Sequence, residues 1–154
     1  MKLVYYGFFR GYTARVAGAI HLHRLPEDRL PTLDQLINYA GFEGNSLAAP
    51  GVPQLLGRDE AQNEIYCLGL GTDPAICLQT ICHLLAAGAD PFQWRFIPTG
   101  RPENPLIRWG NFCSGKAGLA ILSSFLTWLG IQHCYFRLVE QVRQVKEWPG
   151  VAKT

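Results

Sequence analysis

The sequence predicts one α/β domain with three layers, in which helices cover both faces of a mainly parallel, Rossmann-like sheet. Candidate strands alternate with candidate helices, which is the order of a parallel sheet. A unit of strand, glycine loop and helix occurs near residue 7 and again near residue 70. The 154 residues are 48% hydrophobic and only 17% charged, which fits one domain with a large core. We expect residues 1–150 to form the domain and residues 151–154 a flexible tail.

The first unit begins with a β-rich run at residues 2–6, which a glycine loop interrupts at residues 7–11. A helix is expected from Thr13, because residues 14–22 are mostly good or acceptable helix formers. Leu25 and Pro26 end it.

A second helix is expected after Thr32, because Thr32 and Gln35 have the spacing of a capping box. An exposed loop follows at residues 43–53. Residues 54–58 and 64–68 flank a polar turn and predict a hairpin.

The second unit contains a strand at residues 65–70 that is apolar enough to be covered on both faces. Asp73 is a good N-cap and Pro74 fits the first helical position, so a helix is expected to about residue 87. This helix is apolar almost all round, which indicates either a helix buried against the sheet or a face covered by a partner chain.

The last third begins with a strand at residues 92–97, a turn-rich connection at residues 98–105 and a short strand at residues 106–109. A long apolar helix then reaches residue 129, and Gly130 is expected to end it. Residues 133–147 are either one amphipathic helix or a strand followed by a short helix. Leu138, Val142 and Val145 keep helical spacing, so we favour the helix.

Composition excludes several classes of partner and location. The formal net charge of +2 is too small to indicate a nucleic-acid partner. Residues 117–136 lack charge, but Ser123, Ser124 and Thr127 interrupt them, which predicts a buried helix and no membrane span. The five cysteines lack Cys-x-x-Cys spacing, and no signal peptide is evident, so we expect reduced thiols in a cytoplasmic protein.

The first half of the sequence resembles a known family. The run Val16-Ala17-Gly18-Ala19-Ile20-His21-Leu22 followed by Leu25-Pro26, and the later run at residues 63–69, are similar to an uncharacterised domain-of-unknown-function family of short proteins from spore-forming Firmicutes. The resemblance implies no activity. The first loop also departs from the family pattern of small residues, histidine and serine, because it reads Phe-Phe-Arg-Gly-Tyr-Thr at residues 8–13.

Three glycine loops are candidate ligand sites, because ligands of open α/β sheets bind outside the carboxyl ends of the strands. The first loop precedes a helix whose free N–H groups and dipole attract an anion. Arg10 adds a bidentate phosphate donor and Thr13 a hydroxyl, next to Gly7 and Gly11. The alternative is a tight turn with a solvated arginine.

In the second loop, Gly69, Gly71, Thr72 and Asp73 place a carboxylate where a phosphate would sit. Asp73 is therefore either a helix cap or a contact for a sugar hydroxyl or a metal ion.

The third loop contains Cys113, Ser114 and Lys116. A cysteine before a helix, beside a lysine, has the setting of a thiolate nucleophile or an anion site, although Ser114 also fits an ordinary N-cap. The Cys-x5-Arg loop of cysteine phosphatases is absent, because residue 119 is Leu.

His21 is a weak candidate for a catalytic base, and the alternative is a hydrogen-bonded core histidine. His21 and His23 lie two residues apart and cannot share a metal on one helix face, so we expect no metal site. A mixture of aromatic and cationic residues occurs at Trp94, Arg95, Arg101, Arg108 and Trp109. It indicates either core tryptophans with surface arginines or, because the net charge is low, a protein interface rather than a nucleic-acid surface.

Two functional hypotheses follow. The first is a small cytoplasmic protein that binds a phosphorylated small molecule or nucleotide through Arg10 and Lys116, with any phosphate-ester chemistry assigned to Cys113. The second is a non-enzymatic regulatory or interaction protein that forms a homodimer through an apolar face. The sequence identifies no cofactor.

Overall fold

The computed structural model describes residues 1–40, 49–88, 93–100, 120–149 and 151. Within them lie four strands, β1 (Lys2–Gly7), β2 (Gln54–Arg58), β3 (Glu64–Gly69) and β4 (Trp94–Pro98). The helices are α1 (Tyr12–His21), α2 (Leu33–Ala40), α3 (Pro74–Gly88) and α4 (Ala120–Lys146). Strands and helices mix along the chain, which confirms the predicted α/β class.

The described strands form one open sheet in the order β2-β3-β1-β4. β1 is central and pairs in parallel with β3 and with β4, so that Lys2 lies opposite both Glu64 and Trp94. β2 and β3 form the predicted hairpin and pair antiparallel. The sheet therefore contains an antiparallel edge pair, and it does not establish the mainly parallel, Rossmann-like arrangement that we expected.

The face of the sheet under α1 and α4 contains the main core. Leu3, Tyr5, Ile65 and Ile97 point into it from the strands and are fully buried. α1 is buried along nearly its whole length, because β1 and β3 cover one side of it and α4 covers another. α2 adds Leu36, and its predicted capping box is present: the Thr32 N–H donates to Gln35 Oε1 at 3.0 Å, and the Gln35 N–H to Thr32 Oγ1 at 3.3 Å.

The other face of the sheet is covered by α3, and less completely. Leu78 and Ile81 pack against Val4 and Leu68. Much of α3 nevertheless faces solvent, and Leu84 is 69% exposed. The interpretation of α3 as a helix buried within the chain is therefore wrong, and a face covered by a partner chain stays a prediction. A helix that packs on a sheet buries the face that contacts the sheet. The apolar residues on its outer face are buried only where a further layer of the protein covers them.

α4 is one continuous helix from residue 120 to residue 146, so Gly130 does not end it as predicted. Glycine costs about 1 kcal/mol inside a helix. That cost is offset because a buried stripe with helical spacing continues past it, formed by Ile131, Tyr135, Leu138, Val142 and Val145. The alternative of a strand at residues 134–139 is thereby excluded, and the favoured helix is confirmed.

Val151, which we expected in the flexible tail, is buried, and its N–H donates to the carbonyl of Trp148 at 2.9 Å. In the part of the chain that the structure describes, no helix combines the length and apolarity needed to cross a membrane.

Candidate functional site

Two of the three predicted loops meet at the carboxyl edge of the sheet, which is the edge where β1, β3 and β4 end. Gly7 lies opposite Gly69 in the parallel pairing. Beyond it, the Phe9 N–H donates to the Gly71 carbonyl at 2.6 Å, and the Gly71 N–H donates back to Phe9 at 3.1 Å. The loops after β1 and β3 are thus held together by backbone hydrogen bonds.

Glycine is needed at this junction because two backbones touch. A Cβ on Gly69 would lie 2.5 Å from the Phe9 carbonyl oxygen and from the Arg10 carbonyl carbon. A Cβ on Gly11 would lie 2.9 Å from the Gly69 nitrogen, and Gly11 also has a φ of 72°. Only glycine can lack a Cβ at such a close contact and adopt a positive φ without strain.

Helix α1 begins at this junction without a side-chain cap. Gly11 is the N-cap residue and has no side chain, so the cap residue itself offers no side-chain oxygen to the first N–H groups, and the first turn contains no acidic residue. Arg10 lies just before the cap and is half-buried. The positive end of the helix dipole is therefore not neutralised by α1 itself.

Two threonine hydroxyls adjoin the start of α1. Thr13 Oγ1 lies 3.2 Å from Thr99 Oγ1, and the Thr99 hydroxyl donates to the Tyr6 carbonyl at 2.9 Å. The Thr99 N–H donates to the same carbonyl at 2.8 Å. The sequence prediction missed Thr99, although its position just after a strand was a usable signal.

The second loop is largely explained by its role at the start of α3. The Ile76 N–H donates to Asp73 Oδ1 at 3.4 Å, so Asp73 caps the helix as the alternative interpretation has it. Thr72 and Asp73 are exposed, and Gly71 has a φ of 67° with open space around it. A contact of Asp73 with a sugar hydroxyl or a metal ion stays a prediction.

The third predicted loop, with Cys113, Ser114 and Lys116, lies outside the described residues. Among the described residues, no cluster of three or more metal-binding side chains occurs. Burial raises the pKa of the Cys67 thiol, and it raises the pKa of the Cys134 thiol to about 11. These two thiols are therefore protonated and unreactive near neutral pH.

The opposite, amino edge of the sheet contains a buried chain of three polar side chains. Tyr5 Oη lies 2.6 Å from His21 Nδ1, and His21 Nε2 lies 3.3 Å from Asp59 Oδ2. Asp59 also accepts from the Asn63 N–H at 2.8 Å and from Asn63 Nδ2 at 3.0 Å. The Asn63 amide is also 3.4 Å from the carbonyl of Val151, which ties the C-terminal segment to the hairpin turn.

The pKa shifts fix the direction of these hydrogen bonds. Burial raises the pKa of Tyr5, so its hydroxyl stays protonated and donates to His21 Nδ1. Burial lowers the pKa of His21 despite its bond to Asp59, so the imidazole is neutral at pH 7. Burial raises the pKa of Asp59, but hydrogen bonds from Asn63 and His21 outweigh it and leave that pKa below its usual value. His21 therefore carries its proton on Nε2 and donates it to an ionised Asp59.

This arrangement places His21 among core histidines, because both ring nitrogens are bonded within the protein and its exposed fraction is 2%. Neither nitrogen is available to a substrate in this arrangement. The sequence prediction singled out His21 but missed Tyr5, Asp59 and Asn63. Their pairing depends on how the hairpin turn docks against the end of α1.

A cavity of about 400 Å³ opens beside this chain. His21 and Leu22 from the end of α1, Asp59 and Ala61 from the hairpin turn, and Lys146 from α4 are among its lining residues. Next to it, Glu27 binds both Arg143 at 3.1 Å and Lys146 at 3.2 Å, so α4 is tied to the segment after α1 by ion pairs.

Comparison with known proteins gives one match. The model of a family described as "Protein of unknown function (DUF3189)" matches residues 2–147. The match confirms the resemblance to a family of unknown function, and it covers much more than the first half of the chain. No curated protein and no solved structure matches the chain.

Proposed function

We propose that this chain, which belongs to the DUF3189 family, binds a phosphorylated small molecule or nucleotide at the carboxyl edge of its sheet. The single observation that carries the proposal is the uncapped start of α1 at Gly11. The first N–H groups of a helix and the positive end of its dipole form a favourable place for a phosphate group. This is also the edge where open, Rossmann-like α/β sheets bind ligands.

Side chains near this helix start supply the rest of the proposed site. Arg10 would give a charge-assisted contact to a phosphate oxygen. The Thr13 hydroxyl, which bonds to Thr99 Oγ1, would exchange that bond for one to the phosphate. Gly7 and Gly11 belong to the proposed site because Gly7 lies beside Thr13 and Gly11 packs on Gly69, which brings the loops after β1 and β3 together. In the loop after β3, Gly71, Thr72 and Asp73 would contact the sugar or base portion, and Gly69 would hold this loop against Arg10. Ser114 and Lys116 are proposed to complete the site from the third loop.

The proposal also assigns the protein to the cytoplasm. The observation in favour is that the described cysteines, such as Cys67 and Cys77, are free thiols. Reducing compartments maintain that state.

Thermal unfolding with a ligand panel tests the phosphate site. Inorganic phosphate, nucleoside monophosphates and sugar phosphates are each added to the protein, and a ligand that binds the folded state raises Tm. We expect at least one of the phosphate esters to raise Tm, and Arg10→Ala to abolish that rise. Arg29→Ala is the matched control, because Arg29 is an exposed arginine after the other end of α1.

No rise in Tm with any phosphorylated compound would overturn the proposal. An equal loss of the rise in Arg10→Ala and Arg29→Ala would show a non-specific charge effect and would overturn the assignment to the start of α1.

A second candidate function is a non-enzymatic interaction protein that dimerises through α3. The observation that favours it is the exposure of apolar side chains on that helix, where Ile76 is 63% and Leu84 is 69% exposed. Exposed apolar patches often mark interfaces. We expect a concentration-dependent dimer in sedimentation that Ile76→Glu dissociates, with Gln79→Glu on the same helix as the control. A monomer at all concentrations would count against it.

A further inference from the structure

The cavity at the amino edge contains charged groups that the proposed phosphate site does not use. Its volume of about 400 Å³ is in the range of small-molecule sites. Leu22, Ala61 and Val151 provide apolar wall, and Lys146, Arg58 and Asp59 provide charge. A small organic molecule with both an apolar and a polar part therefore fits this lining.

Lys146 is less exposed than Arg58, the other lysine or arginine in the described lining of the cavity: their side chains are 26% and 61% exposed. Among the described residues, its Nζ donates to Glu27 Oε1 at 3.2 Å and lies 3.3 Å from His23 Nε2. A lysine ammonium has three donors. One donor thus stays for a ligand, and the Lys146 side chain is 26% exposed.

Asp59 provides an acceptor in the same cavity. Its carboxylate accepts from His21 Nε2, the Asn63 N–H and Asn63 Nδ2, and these are its bonds within the described part of the chain. A carboxylate offers about four acceptor positions. The Asp59 carboxylate therefore has one acceptor position left for an N–H or O–H group of a ligand. His21 and Asn63 hold this carboxylate rigidly.

We propose that this cavity binds a small carboxylic acid that also carries an N–H or O–H donor, with the carboxylate on Lys146 and the donor on Asp59. The Arg58 guanidinium, which is 61% exposed and bonded to Glu64, adds a second cation at the mouth. A phosphate dianion is disfavoured here, because the carboxylates of Asp59 and Glu60 line the same space.

Amide chemical shifts of the isotope-labelled protein test this site independently of the phosphate site. The probes are lactate and L-serine, which carry a carboxylate and a donor, with acetate and inorganic phosphate as partial mimics, all at constant ionic strength. We expect lactate or serine to shift the amides of Ala61 and His23 and to bind at least about tenfold more tightly than acetate, because a charge-assisted hydrogen bond is lost with acetate.

Lys146→Gln is expected to weaken that binding about tenfold. We expect the Lys146→Gln variant to keep the native fold, because Arg143 still pairs with Glu27. Arg137→Gln, an exposed change on the same helix, is the matched control and should bind as the native protein does.

Three outcomes would overturn the proposal. They are no shift at Ala61 with lactate and serine, equal binding of acetate or phosphate, and equal weakening by Lys146→Gln and Arg137→Gln. Each result is read at the amino edge, so failure here is distinguishable from failure of the phosphate site at the other end of α1.

Discussion

The two ends of α1 are held in place by different kinds of contact. At its start, the backbone of Gly11 packs on Gly69, and the loops are joined by main-chain hydrogen bonds. At its end, His21 is held by the side chains of Tyr5 and Asp59. At the start, the two backbones leave no room for a Cβ on Gly11 or Gly69, whereas the end depends on polar side chains that are largely buried.

Because of this difference, the two ends of α1 should respond differently to a change of pH and to substitutions. The junction at the start of α1 is made of backbone and contains no titratable group, so its contribution to stability does not depend on pH. It has no room for an added side-chain atom. A chain of titratable side chains tolerates changes of shape better, and its stability depends on pH. Four measurements separate the two ends.

The largest effect is expected from Gly69→Ala. The added Cβ meets the backbone of Phe9 and Arg10 at 2.5 Å, and backbone cannot rotate away. We expect the free energy of unfolding to fall by about 3 kcal/mol, the upper range for overpacking, as measured by urea denaturation. Gly88→Ala, where a Cβ meets nothing within 4 Å, is the control and should change stability little. Equal effects of the two substitutions would show that the junction does not require glycine.

His21→Phe is expected to cost about 2 kcal/mol, because it keeps the ring but leaves the buried Tyr5 hydroxyl unpaired. The control is His133→Phe, at an exposed position of α4. A double-mutant cycle with Tyr5→Phe checks the chain itself. If Tyr5→Phe costs the same in both backgrounds, the two side chains are not coupled.

The pH dependence of stability should come from the end of α1. The pKa of His21 is lower in the folded protein than its ordinary value of 6.5, so between those two values the unfolded chain binds more protons. The contribution of neutral His21 to the free energy of unfolding is complete above about pH 6.5 and is lost as the pH falls through the folded pKa. The free energy of unfolding then falls by no more than about 1.4 kcal/mol per pH unit. Urea denaturation at several pH values should show this slope in the native protein and in Gly88→Ala, and a reduced slope in His21→Phe. An unchanged slope in His21→Phe would assign the effect to other groups.

The smallest effect on folding is expected from Arg10→Ala. Arg10 is half-buried in the loop next to the junction and is not part of the core, so its removal should change the free energy of unfolding by no more than about 0.5 kcal/mol. A loss above about 1 kcal/mol would mean that Arg10 supports the loop, and the phosphate test would then need a different variant.

Local signals in the sequence predicted much of this architecture. The capping box at Thr32 and Gln35, the cap at Asp73 and the hairpin between β2 and β3 depend on residues a few positions apart, and all three are present. The first two loops also lie at the carboxyl edge, as expected for loops that follow parallel strands, but the sequence did not show whether they meet.

Features that depend on distant packing were not predictable in this way. Composition cannot say whether a second layer covers α3, so its apolar residues were wrongly expected to be buried. Gly130 is a helix terminator by local rules, but the buried stripe on α4 outweighs them. Asp59 joins His21 across 38 positions of sequence, and no local pattern marks that contact.

The central position of β1 has a consequence for folding during synthesis. β1 leaves the ribosome first among the strands, yet its partners β3 and β4 begin at Glu64 and Trp94. At about 5–20 residues per second, roughly 5 to 20 s pass before both partners have been made. Until β3 has been made, Leu3, Val4 and Tyr5 have no strand to pair with, so the nascent chain exposes apolar side chains that the folded protein buries.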